Sequence, residues 1–241
     1  MKMRKIVIRL LLVTIMPFMA QTCLSQEINI GFKAGASFSD LFTARFNGIS
    51  TMPDSYPLEN LTGGFTLNIK LADNWSVHSE LLYEDKGVKS HDKRDSTYVG
   101  YWAKNYSTTS RDHNYFIHFP QTVRYSISFG KKKLNRVYFE GGPYFSYYLS
   151  SKYFSKWEYD NTTREQTDQD NLDEAGLSRF DWGLKIGTGI WLPMKKGAID
   201  INFADEQMLK AFAIVVNKDY YNVFSISVGY SWVVGRIGGK F

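Results

Sequence analysis

Glu80 and Glu84 stand four residues apart, with His78 two before the first. On an extended strand side chains alternate between faces, so these three share one face. Two carboxylates beside an imidazole can exchange protons as an acid–base pair. The same face, carried across other alternating segments, also holds Lys33, Lys70, Arg124, Glu140, Asp181, Lys185 and Asp200. Opposite charges this numerous can neutralise one another. A network of ion pairs lining an interior is the reading the sequence favours over proton-transfer chemistry.

Other groups suggest narrower chemistries. His113 and His118, with Ser110 close by, could serve a lipid deacylase or acyltransferase, but no His-x-Ser signature is present. Asp168, Asp170, Asp173 and Glu174 could offer oxygen ligands to Ca²⁺. Leu172 takes a ligand position there and the turn glycine is missing, so a solvated acidic segment is expected. Cys23 is the only cysteine, and the residues before it do not resemble a lipobox. No P-loop occurs. The sequence therefore predicts no catalytic residue, no cofactor and no metal. Aromatic residues Tyr98, Tyr101, Trp102, Tyr106, Tyr153, Phe154, Trp157 and Tyr159 fall between alternating segments. They could bind a partner or glycan, or form an interfacial girdle.

The elements that position these side chains begin after a leader. Lys2, Arg4, Lys5 and Arg9 precede an apolar stretch from Leu10 to Ala20, too short to span a bilayer as a helix. Residues 1–25 read as a signal peptide cleaved after Ser25, or after Ala20, leaving 26–241 as one domain. The formal charge of +5 comes from 29 basic and 24 acidic residues. Four of the basic residues lie in the leader, so the remainder carries +1 and offers no basic surface for nucleic acid.

Past the leader the recurring signal is a period of two, the mark of a strand. Ile28, Ile30, Phe32, Ala34, Ala36 and Phe38 alternate with Asn29, Gly31, Lys33, Gly35 and Ser37. Seven further segments follow: 61–71, 75–86, 113–129, 136–150, 178–192, 198–204 and 222–234. Long connections (40–59, 88–112, 151–177 and the moderate 205–221) alternate with short ones (72–74, 130–135, 193–197). Long loops on one side and short turns on the other are the outer-membrane barrel pattern, with both chain ends on the short-turn side. A further strand at Leu209–Val216 would widen the ring.

A soluble barrel of the lipocalin kind would hide apolar residues and show polar ones. Here one face is nearly uncharged and the other carries the charges named above, which cannot line a dry core unpaired. The expected fold is all-β: a transmembrane antiparallel up-and-down β-barrel of eight strands. It must close, because an open edge in hydrocarbon leaves backbone groups unsatisfied.

Five stretches carry a resemblance: Gly31-Phe32-Lys33-Ala34-Gly35-Ala36-Ser37-Phe38-Ser39-Asp40-Leu41, Glu80-Leu81-Leu82-Tyr83 with Lys86-Gly87, Phe119-Pro120, Gly141-Gly142-Pro143-Tyr144, and Ser227-Val228-Gly229-Tyr230-Ser231-Trp232. In that order they resemble the small outer-membrane β-barrel family, often labelled porin family, PorT-like secretion accessory included. The resemblance implies the fold and outer-membrane location and little chemistry. Ser227-x-Gly229-x-x-Trp232-x-Val234 is similar to the insertion signal read by the barrel assembly machinery, although Gly235 to Phe241 extends beyond it. The partners implied are outer-membrane lipid or lipopolysaccharide, that machinery during insertion, and an unidentified envelope protein.

The inward set is bulky as well as charged, with Tyr138, Tyr144, Tyr148 and Trp191 among it. The expectation is a plugged barrel with a structural, binding or assembly role. A small passive pore is the first alternative and a lipid-modifying enzyme the second.

Overall fold

The computed structural model describes residues 26–44, 54–95, 105–130, 134–159, 162–168, 179–209 and 218–237. They form nine strands: β1 (Gln26–Ala44), β2 (Asp54–Lys70), β3 (Trp75–Asp95), β4 (Asn105–Phe129), β5 (Asn135–Tyr159), β6 (Thr162–Asp168), β7 (Phe180–Pro193), β8 (Ala198–Met208) and β9 (Lys218–Ile237). All pairings are antiparallel. Eight strands close a ring in the order β1-β2-β3-β4-β5-β7-β8-β9, with β9 returning to β1, while β6 pairs only with β5. Closure leaves no edge in the ring, as hydrocarbon requires.

Register fixes the width. Following paired residues once round from Ile28 through Ile69, Val77, Val123, Gly141, Ile186, Asp205 and Phe224 returns to Phe38, ten residues further along β1. A stagger of that size on eight strands tilts them by roughly 35–45° and leaves an interior that side chains can fill.

Neighbouring residues show the two faces. Ile186 is 62% exposed on the outside, and Lys185, one residue away, is 1% exposed in the lumen. The exterior is apolar through the middle and aromatic towards both ends. Trp75 packs on Tyr125 at 4.9 Å near the short turns, and Tyr83 stacks on Tyr115 at 5.8 Å towards the other end. The short turns are tight. Leu71 and Ala72 N–H groups donate to the Trp75 carbonyl, Met194 N–H donates to that of Gly197, and Gly130 takes φ of 85°. Inside, Gly183 and Gly189 leave space for the rings of Tyr144 and Tyr138, against which any added Cβ would collide.

The structure departs from the sequence reading on the long-connection side. β3, β4 and β5 run far beyond the alternating segments, and β6 arises within 151–177, which the sequence reads as a loop. Beyond the ring the demand for alternation weakens: Ser107 to Ser110 of β4 are all half-exposed and β6 is exposed throughout. β8 continues to Met208, so Glu206 lies in the lumen and not in a loop. β9 continues to Ile237, where it pairs with Gln26. The leader 1–25, residues 210–217 and Phe241 lie outside the described residues, as does the acidic segment beyond Asp168.

Candidate functional site

The charged lumen is built by alternation: every second residue of each ring strand points inward, and the stagger decides which of them meet. Glu80 on β3 is gripped from two sides. Lys33 Nζ on β1 donates to its Oε1 at 2.7 Å, and Lys185 Nζ on β7 donates to its Oε2 at 2.7 Å. His78 Nε2 also lies 3.0 Å from Oε1. Lys185 reaches on to Glu206 of β8 at 3.5 Å, and Glu206 Oε2 is 2.9 Å from His118 Nε2 on β4. Glu84 lies 3.4 Å from Lys86 and 3.6 Å from His118. The chain of contacts therefore crosses the barrel from wall to wall. None of these side chains is more than 7% exposed.

A second cluster lies beside it. Arg124 donates through Nε to Glu140 at 2.6 Å and through Nη1 to Asp200 at 2.9 Å. The guanidinium sits over the Tyr138 ring, whose hydroxyl donates to Asp200 at 2.6 Å. Asn202 Nδ2 donates to Glu140 and to the Tyr138 hydroxyl. Charges buried this deeply are tolerated only when paired and hydrogen-bonded, and these are.

Of the residues read from sequence, Lys33, Glu80, Glu84, Arg124, Glu140, Lys185 and Asp200 come together in these two clusters. Asp181 faces the lumen at 2% exposure, with no hydrogen bond to its carboxylate among the described residues. Lys70 stands apart, 3.6 Å from Asp73 at a short turn, because the tilt carries its position to the mouth. Lys86, Glu206 and His118 were not in the network as read from sequence, whereas His78 was placed beside Glu80 and Glu84. Continuing the β8 alternation from Asp200 and Asn202 would have reached Glu206. Of the aromatics, Tyr153 donates to Ser110 at 3.1 Å, Trp157 lies half-buried on β5, and Tyr106 and Tyr159 lie on β4 and β5. Tyr98, Tyr101 and Trp102 fall outside the described residues.

The chemistry open to the lumen is limited by packing. Ser146 Oγ, His118 and Glu206 follow one another at 2.8 and 2.9 Å, the order of a nucleophilic relay. All three are buried, so no substrate reaches Ser146. Ligand atoms of Glu84, His118 and Glu206 lie within 4.8 Å of one another, close enough for a metal ion. The ammonium groups of Lys86 and Lys185 already stand beside these carboxylates and supply their countercharge. His113 is not in the lumen. It faces outward and holds Asp85 at 2.7 Å.

The sequence matches the outer membrane protein beta-barrel domain family over residues 19–204. Among solved structures, OprG from Pseudomonas aeruginosa is 16% identical, with 87% of this chain and 96% of that chain covered and a TM-score of 0.36. Ail of Yersinia pestis, solved with the heparin analogue sucrose octasulfate, is 10% identical over 86% of this chain and 99% of that one, TM-score 0.34. The outer membrane protease OmpT from Escherichia coli is 10% identical over 87% and 96%, TM-score 0.27. No curated protein matches.

Proposed function

The chain belongs to the outer membrane protein beta-barrel domain family, and we propose that its lumen is a plug and that its work is done on the outside. The protein is an outer-membrane β-barrel. The observation that carries the plug is Glu80, held between Lys33 and Lys185 from opposite parts of the wall. A layer of salt-bridged side chains, each almost fully buried, supports a structural, binding or assembly role over a pore. The part left to meet partners is the wall that β3 to β6 raise beyond the ring, facing the cell exterior, with both chain ends periplasmic.

The orientation is tested by cysteine labelling on intact cells. Lys93→Cys and Arg164→Cys, both at exposed positions, are expected to react with a membrane-impermeant maleimide, and Asp73→Cys and Lys195→Cys are not. Glu206→Cys, inside the lumen, is expected to stay unlabelled as well. The reverse pattern would overturn the orientation.

A further inference from the structure

On the outer wall of β3 and β4 the last apolar or aromatic residues are Tyr83 and Tyr115; on β5 the continuous run ends at Leu149, with Phe154 alone beyond it, opposite Arg111. Beyond them the outward positions turn basic. Lys89 stands on β3, His113 and Arg111 on β4, and Lys152 on β5. The register brings them together: Lys89 lies directly opposite Arg111, and His113 directly opposite Lys152. Side chains directly opposite or diagonal across paired strands are within about 5–8 Å, so these four form one patch.

The patch is costly as it stands. Like charges directly opposite destabilise a sheet. Asp85, an acid on this face, is bonded to His113 at 2.7 Å, and Asp54 of β2 takes the register position opposite His91, diagonal to Lys89. Among the described residues no ion pair links Lys89, Arg111 or Lys152 to a carboxylate. On β1, β2 and β8 the corresponding outward positions are acidic: Asp40 after Phe38, Glu59 next to Leu61, and Asp205 after Phe203. These four cations therefore gather on neighbouring strands at one side of the barrel.

Height selects the ligand. The cations begin two to six residues past Tyr83, Tyr115 and Leu149, where the continuous apolar surface of their strands ends. At about 2.4 Å of rise per tilted residue, that places them roughly 5–15 Å above the hydrocarbon, among lipid headgroups. They also lie on the membrane-facing side of the wall. We infer that Lys89, Arg111 and Lys152, with His113, bind the phosphate of an outer-leaflet lipid headgroup. Arg111 can offer two parallel N–H donors to phosphate oxygens, while the lysines supply countercharge. The inference rests on the outward-facing orientation proposed above.

The test uses the full chain, folded in detergent and titrated with bisphosphorylated lipid A and with its dephosphorylated form, bound lipid being counted by native mass spectrometry. The triple variant Lys89→Gln, Arg111→Gln, Lys152→Gln is compared with a control of equal charge loss, Arg164→Gln, Lys195→Gln, Lys196→Gln. Wild type and control are expected to prefer the phosphorylated lipid. The triple variant is expected to bind it about tenfold more weakly, a difference of about 1.4 kcal/mol. Inorganic phosphate is expected not to displace it. Equal binding by triple variant and control, no phosphate preference in wild type, or displacement by inorganic phosphate would each overturn the proposal. Heat-modifiable gel mobility, retained by the triple variant, separates loss of the lipid site from loss of the barrel. Should the triple variant not fold, Lys152→Gln alone must weaken binding, and wild-type affinity in that variant would overturn the proposal.

Discussion

From Phe116 to Arg124, β4 alternates between buried and exposed or half-exposed residue by residue; higher on the same strand, Ser107 to Ser110 are all half-exposed. β6, paired only to the upper part of β5, is exposed at every one of its seven positions. One strand thus passes through two environments. Where lipid lies outside and a packed lumen inside, each residue must suit one or the other. Where water lies on both sides, neither face is special. Substitutions within the ring should therefore be strongly face-dependent, and substitutions in the raised wall should not.

The largest expected effect is in the lumen. Glu80→Ala would leave the ammonium groups of Lys33 and Lys185 buried without their shared carboxylate. A loss of about 3–5 kcal/mol is expected, read as a lower urea midpoint for the folded gel band in vesicles. A midpoint equal to wild type would mean that water reaches the layer.

On the lipid face, Ile186→Arg is expected to cost about 2–4 kcal/mol near the membrane midplane and to reduce insertion. Thr66→Arg, on the lumen side of its strand, is expected to cost less. Equal effects at the two positions would contradict the assignment of faces.

Gly189→Val tests the packing between wall and plug, since its side chain would meet the Tyr138 ring. About 1–3 kcal/mol is expected from overpacking, with Asp200 losing its hydroxyl donor as Tyr138 is displaced. A Gly189→Val, Tyr138→Ala double variant should recover part of the steric cost. No recovery would place the strain elsewhere.

The smallest effect belongs to the wall. Thr163→Arg or Gln166→Lys on β6 is expected to change stability by less than about 0.5 kcal/mol. A large loss there would show that the wall helps hold the ring together.

What was legible in the sequence follows the same division. Alternation in segments such as 28–38 and 178–192 reveals ring strands because lipid and lumen impose opposite demands on neighbours. The extensions carry no such imprint: Lys89-Ser90-His91-Asp92-Lys93 and Thr162-Thr163-Arg164-Glu165-Gln166 are polar throughout. Inward charge was legible for Glu80 and Lys185, but their contact was not, since it depends on the stagger accumulated across several strands. Glu206 was missed because its strand was ended early, at Ala204. Lys70 was grouped with the network because its parity is right, and only the tilt shows that it lies at the mouth.

The central claim is that salt-bridged side chains close the lumen, and conductance tests it most directly. Purified folded protein in a planar lipid bilayer should give no steady current above background, and Glu80→Ala, Lys185→Ala should give more leakage than wild type. Reproducible open steps of nanosiemens size from the wild-type protein would contradict the plug and make the barrel a pore.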